Sequence, residues 1–364
     1  MRYGHGLVVG KFYPPHAGHH ALIEAAARTC DRVTVVVAPA SRESVPLALR
    51  LAWLREAHAS APHVRFAGTH DDHPVDYADP AVWDLHCAVF AAAAGTDHVD
   101  AVFSSEAYGD ELARRFRAAH VCVDPARTAV SVSGTAVRAD PVAHWDHLAP
   151  GVRAWLTRRV VVVGAESTGT TTTARALARH YRLRGGVWSR TRWVPEFGRE
   201  LTERKLADLR RSRPGATVDE VVWNRDDFVT VAAEQTAAED AAARCGSPVL
   251  FGDTDALATT VWEERYLGST SPAVRAAVRK PDLYLLTDDE QVPFVDDGLR
   301  DGEAIRSWMT GRFRAELVAA DVPWIVLTGE YPKRLRTAVA ACDALLARGW
   351  SWAEPIAPRS CDPI

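Results

Sequence analysis

"GAESTGTTTTARALARH", residues 164–180, follows the apolar run Val160, Val161, Val162, Val163 and leads into an Ala/Leu/Arg-rich stretch. A glycine-bounded loop between a strand and a helix presents backbone N–H groups and the positive end of the helix dipole to phosphate. The spacing fits G-x-x-x-x-G-K-[ST] at Gly164, Gly169 and Thr171, but Thr170 stands where the phosphate-gripping lysine belongs. The stretch therefore predicts a nucleotide-binding α/β unit whose phosphate charge is met by other cations. Only four lysines (11, 205, 280, 333) occur among the 43 basic residues, so arginine is the available replacement.

Working outward, further strand-like runs at 248–251, 282–286 and 324–327 alternate with helical segments after this loop. Ahead of it lies a separate series: strands at 6–9, 32–37 and 101–103, with helices at 19–28 and 48–59. Alternation of this kind predicts parallel sheets flanked by helices, and 364 residues suit two domains of about 150 to 200 residues each. The Pro-bearing stretch "DPVAHWDHLAPGVRAWLTRR" places the boundary near residues 154–158, giving domains 1–154 and 158–349 and a Pro-rich, loosely ordered tail at 350–364.

Composition narrows the class. With 47% hydrophobic and 25% charged residues and a net charge of −4, the chain is expected to be globular and without overall attraction to nucleic acid. Six widely spaced cysteines without a C-x-x-C pair, no signal-like N-terminus and no apolar run of about 18 residues point to a reduced, cytoplasmic protein without a membrane span. Oligomeric state is not legible, and a homo-oligomer stays open.

A second phosphate site is written in "GKFYPPHAGHHALIEAA", residues 10–26. Histidines at the start of a helix, with Lys11 beside them, can meet a triphosphate together with free backbone N–H groups. The stretch resembles the G-x-F-x-P-x-H-x-G-H signature of nucleotidylyltransferases at Gly10, Phe12, Pro14, His16, Gly18 and His19. Their Ser-x-Thr-x-x-Arg element is matched by Ser133, Thr135 and Arg138. The resemblance implies a Rossmann-like domain in which His16, His19 and Arg138 stabilise the polyphosphate of ATP while an acceptor phosphate attacks its α-phosphate. "LALRLAWLRE" and "FSSEAYGDELAR" are similar to the acceptor segments of nicotinamide mononucleotide (NMN) adenylyltransferases, which carries over Arg50, Ser104, Glu106 and Tyr108. Trp83 is a candidate to stack on a pyridinium ring, against the alternative that it is a core residue of a helix. "THDDHP", residues 69–74, reads as a solvated Pro-flanked turn rather than a metal site.

The second half resembles the ribosylnicotinamide kinase domain of the bifunctional NadR family, so the whole chain is expected to be an NMN adenylyltransferase followed by a P-loop kinase. The resemblance assigns Glu166, Ser167, Thr168, Thr170, Thr171 and Thr172 to the nucleotide, with Thr171 and Asp253 on magnesium and Asp253 as base. It assigns Glu196, Arg199, Trp223, Asp227 and Asp255 to ribosylnicotinamide, and makes residues 293–306 a lid carrying Asp296, Asp297 and Arg300. Arg175, Arg190, Arg192, Arg300 and Arg306 are the candidates to replace the lysine, Arg300 first. The implied small-molecule partners are NMN, ribosylnicotinamide and ATP or another nucleoside triphosphate, giving NAD. The alternatives are an adenylyltransferase with a non-catalytic P-loop domain, and a regulator. Some family members carry an N-terminal DNA-binding helix-turn-helix, but the first strand begins by residue 6, so no such module is expected here.

Overall fold

The computed structural model describes residues 2–126, 128–290 and 292–356. The chain divides into two compact units, one up to Val152 joined by the residues from Trp350 on, the other over Arg153–Gly349. The division falls just ahead of the boundary expected at residues 154–158.

In the first unit, β1 (Tyr3–Gly10), β2 (Cys30–Val37), β3 (Val64–Gly68), β4 (Ala101–Ser104) and β5 (Ala119–Cys122) form a sheet of order β3-β2-β1-β4-β5. Every neighbouring pair is parallel. Successive side chains of a strand face opposite sides of its sheet. Val8 accordingly packs with Ile23, Val33 and Val35 on one face, while Leu7 and Val9 pack with Val36, Trp83 and Leu112 on the other. The chain leaves β1 for β2 and β3, then returns to β4 on the opposite side. The carboxyl ends of β1 and β4 thus flank the switch point at which open α/β sheets bind ligands.

The second unit repeats this logic with β6 (Arg158–Gly164), β7 (Arg192–Val194), β8 (Val249–Asp253), β9 (Leu283–Thr287) and β10 (Trp324–Leu327) in the order β10-β9-β6-β8-β7, again all parallel. Val160 and Val162 enter one core and Val161 and Val163 the other, which is why β6 reads as an uninterrupted apolar run. β6 lies between β8 and β9, so Gly164, Asp253 and Thr287 end side by side.

Three strands have no counterpart among the sequence expectations: β3, β5 and β7. All three lie at sheet edges, where VRFAG, AHVC and RWV include exposed and half-buried positions and present no long apolar run. Of the expected tail, residues up to 356 are described, and they lie against the first unit. Tyr13 donates to the Ala353 carbonyl at 3.0 Å, and its ring meets Trp352 edge-on at 5.4 Å. The rest of the tail is outside the described residues. Among the described residues no helix is long and apolar enough to cross a membrane.

Candidate active sites

Each unit carries a cavity at its switch point. In the first, about 770 Å³ of space is bounded by the turn after β1, by the segment around Ser133 and by a wall containing Trp83, Glu106 and Tyr108. Phe12 adopts φ 51° and buries its ring, and helix Ala17–Thr29 follows. His16 and His19 then stack with ring centroids 3.7 Å apart, and His19 also meets Phe12 at 4.9 Å. A Cβ on Gly18 would come within 3.2 Å of the His16 ring, so any other residue there would press that ring out of place. Arg138 reaches the same turn, donating through Nη1 to the Tyr13 carbonyl at 2.8 Å and through Nη2 to Thr135 Oγ1 at 3.2 Å. Ser133 caps the short helix that carries them, accepting from Ala136 N. Gly10, Lys11, Phe12, His16, Gly18, His19, Ser133, Thr135 and Arg138 all line the cavity, so the two motifs converge on one space.

The acceptor candidates separate. Glu106 and Tyr108 line the cavity, with the Tyr108 hydroxyl donating to Val9 O at 3.3 Å and burial pushing its phenol pKa up. Trp83 is both a core and a lining residue, fixed by its indole N–H to Tyr77 O at 3.1 Å. Arg50 and Ser104 are not among the lining residues. The fully buried Arg50 guanidinium donates to Glu43 Oε2 and the Lys11 carbonyl, each at 2.7 Å, and to the Val45 carbonyl, so it braces the turn from behind. The Ser104 hydroxyl joins the Glu106 carbonyl and His120 Nε2, each at 2.8 Å, and its neighbour Ser105 faces the cavity instead.

His20, the third histidine of the run, turns to His58 with Nδ1 3.0 Å from Nε2. Burial first, and then His58, push its pKa down to about 4. Between about pH 6.5 and that value the unfolded chain binds a proton that the folded one refuses, so stability present above the upper limit is lost as pH falls. We expect the Tm of the first unit to decline across this window, and His20→Gln to flatten the decline in thermal melts at stepped pH.

In the second unit the loop after β6 wraps a cavity of about 100 Å³ lined by Gly164, Glu166, Ser167, Thr170, Thr171, Glu196, Arg199, Trp223 and Arg300. The loop turns through Ser167 at φ 59° and Gly169 at φ 92°, a phosphate-cradling shape. Gly164 admits no side chain, since a Cβ would overlap the hydroxyls of Thr287 and Thr168, which themselves bond at 2.6 Å. Thr168 is therefore a brace at the loop's base, and Thr172 is not among the lining residues. Asp253, at the end of β8, is buried, and burial raises its pKa against the hydrogen bonds of the Thr171 and Thr170 hydroxyls. At the lysine position, then, a hydroxyl lies near this carboxylate. Burial and the carboxylates of Asp253 and Glu166 push Glu196 up to about 8.

Residues 292–302 lie along the loop, with Val295 N donating to Ser167 Oγ at 2.8 Å and Gly302 N to Glu166 Oε2 at 2.6 Å. Of the five arginines considered in place of the lysine, only Arg300 is among the described lining residues, with Nη1 3.4 Å from Ser167 Oγ. Arg306 reaches the Ser167 carbonyl at 3.5 Å, and Arg175 lies over the Trp193 ring. Arg199 is held by Asp297 at 2.9 Å.

Asp227 and Asp255 stay out of the cavity lining: Asp227 pairs with Lys205 and closes a capping box with Asn224, while Asp255 caps helix Ala256–Leu267 and accepts from the Tyr284 hydroxyl at 2.6 Å. Asp253 is not among the lining residues either. Trp223, by contrast, stacks with Phe228 and Tyr266 at 5.2 and 5.5 Å, and Trp262 continues the group. This aromatic wall extends what the sequence indicated through Trp223 alone; Trp262 and Tyr266, one helical turn apart, were the available signal.

Comparison with known proteins agrees with this order of units. Residues 7–140 match the Cytidylyltransferase-like family and residues 159–334 the AAA domain family. The chain is 27% identical over 312 residues to the trifunctional NAD biosynthesis/regulator protein NadR of Escherichia coli (strain K12), covering 81% of this chain and 71% of that protein. The Salmonella typhimurium (strain LT2) NadR is 26% identical over 310 residues, with the same coverage of 81% and 71%. Among solved structures, a NadR protein in complex with NR superposes with a TM-score of 0.72 at 23% identity, covering 95% of this chain and 97% of that one. A NadR protein in complex with NAD and AMP-PNP gives 0.68 at 24%, covering 95% and 96%.

Proposed function

We propose that this chain, which is similar to the NadR proteins, is a two-step NAD salvage enzyme. Its second unit phosphorylates ribosylnicotinamide to NMN with a nucleoside triphosphate, and its first joins NMN to the AMP part of ATP, giving NAD and pyrophosphate. The observation that carries the reading is the convergence of His16, His19, Thr135 and Arg138 on one cavity bounded by Trp83. In adenylyl transfer the NMN phosphate attacks the α-phosphate of ATP directly. The chain's part is to align the two phosphates and to stabilise the charge that moves to the leaving pyrophosphate, which His16, His19 and Arg138 do as donors. Trp83 and Tyr108 confine the acceptor.

For the kinase step the aromatic wall of Trp223, Phe228 and Tyr266 suits a flat cationic ring, and Asp253, at the end of β8 and not itself among the lining residues, takes the proton of the 5′-hydroxyl. Magnesium, when bound, supplies charge neutralisation for the phosphates. Thr171 and Asp253 fit it, because Asp253 Oδ1 is buried without a hydrogen-bond partner among the described residues. Arg300 offers its guanidinium to the phosphates at the place left by the lysine.

The test is a product time course of the purified protein with magnesium and ATP, started in parallel from nicotinamide riboside and from NMN. NAD from both supports the two-step reading. Arg300→Ala is then expected to slow the first reaction about 10- to 100-fold while sparing the second. NAD from NMN alone would leave an adenylyltransferase whose P-loop unit binds nucleotide without catalysis, as expected if Thr170 keeps Asp253 from its task.

A further inference from the structure

The turn at 69–74, expected as a solvated loop, carries Asp71 and His73, which meet His86 from elsewhere in the chain. Asp71 is buried, with its backbone N–H donating to the Pro39 carbonyl at 3.0 Å, and its side chain is only 6% exposed. Its two oxygens face two imidazoles: Oδ1 lies 2.9 Å from His73 Nδ1, and Oδ2 lies 2.5 Å from His86 Nδ1. His86 belongs to helix Pro80–Ala94, and stacking on Phe90 at 6.1 Å holds its ring.

The decisive contact is on the other side of that ring. His86 Nε2 lies 3.0 Å from the Pro74 carbonyl, which can only accept, so Nε2 carries the proton. Nδ1 is left facing the carboxylate oxygen, a place that a second proton fills in the free protein and that a metal ion can take in its stead. Metal-ligating histidines are oriented in this way, by giving the remote N–H to a carbonyl or carboxylate. The ligand atoms of Asp71, His73 and His86 all lie within 4.8 Å of one another, so small side-chain rotations bring them around an ion held at about 2.0 to 2.2 Å from each.

We propose that Asp71, His73 and His86 bind a divalent ion of the zinc class, with its remaining coordination position turned to the first unit's cavity. Two imidazoles and one carboxylate suit Zn²⁺ or a neighbouring first-row ion and not Mg²⁺, which favours oxygen ligands and water. Asp71 and His86 line the cavity, so the fourth ligand is water or an oxygen donor of a molecule bound there. The ion also ties the turn to helix Pro80–Ala94, which carries Trp83 on the same wall. The site stands whether or not the acceptor is NMN.

The experiment is a Co²⁺ titration of the full chain after removal of metals with a chelator, followed by visible absorption. One equivalent should give the d–d bands of a four- or five-coordinate ion, and Zn²⁺ should displace it. His86→Gln and Asp71→Asn should weaken Co²⁺ binding about 100-fold or more. His73→Gln, at a half-exposed position that a folded chain tolerates, should weaken it at least about tenfold. No bands from the unaltered protein would overturn the proposal, leaving a hydrogen-bonded His–Asp–His network with a cationic His86. Bands that persist unchanged in His73→Gln would overturn it too, by placing the ion elsewhere, for instance at His16 and His19.

Discussion

His19→Ala is expected to lower NAD formation from NMN and ATP by about 10²- to 10³-fold, the effect of removing one preorganised donor to developing charge. The loss should fall mainly on kcat, because the imidazole's contribution grows as charge moves to the pyrophosphate and is weaker in the bound ground state. His16→Ala should behave similarly, since the two rings form one stacked unit 3.7 Å apart, and the double variant should lose much less than the product of the two single losses. His20→Ala is the internal control: its ring is turned to His58, so it should change stability and pH response while leaving kcat within a few-fold. Steady-state kinetics of the three single variants and the double variant, with thermal melts as a check on folding, would decide. An H19A enzyme within threefold of the parent in kcat would remove the imidazoles from the mechanism.

The contrast between His19 and His20 shows what sequence can convey about such a site. Adjacent histidines in one helical run are equivalent in composition, and only the G-x-F-x-P-x-H-x-G-H spacing separates them. The central strands were legible for a simple reason: Val160, Val161, Val162 and Val163 are buried on both faces, and an uninterrupted apolar run records that. The edge strands β3, β5 and β7 leave no such record, whereas the apolar WIVL of the edge strand β10 does. Residues that act through position in space were legible only in part. Arg50, read as an acceptor contact, is buried under the turn it braces, and nothing in "LALRLAWLRE" distinguishes a guanidinium facing a ligand from one facing Glu43. The capping roles of Asp227 and Asp255 were available locally, because both sit at helix starts where a carboxylate satisfies free N–H groups. The site at Asp71, His73 and His86 was hidden by distance along the chain, the third ligand arriving on a later helix.

Asp253→Asn is expected to reduce phosphorylation of ribosylnicotinamide by about 10²- to 10⁴-fold, the span of a lost general base, and to leave NAD formation from NMN untouched. The isosteric change also separates chemistry from folding. Burial raises the Asp253 pKa, so at low pH the folded state holds this proton more firmly than the unfolded one does. Stability from that proton is complete below the unfolded value and is lost as pH rises through the folded value. Wherever the carboxylate is ionised it is therefore a burden on the fold, and the amide should leave the Tm unchanged or raise it while activity disappears. That combination is the mark of a group kept for function against its cost in stability. The surviving pH dependence carries a second sign. The working base must be ionised, so the parent kinase rate should fall as pH drops through the raised carboxylate range. Glu196, held up to about 8 beside it, makes the apparent midpoint a property of the group of carboxylates. Residual activity in Asp253→Asn should lack the limb that Asp253 contributes. Should the variant instead lose activity and Tm together, Asp253 would be bracing Thr170 and Thr171 at the loop, and the base would have to be sought at Glu196.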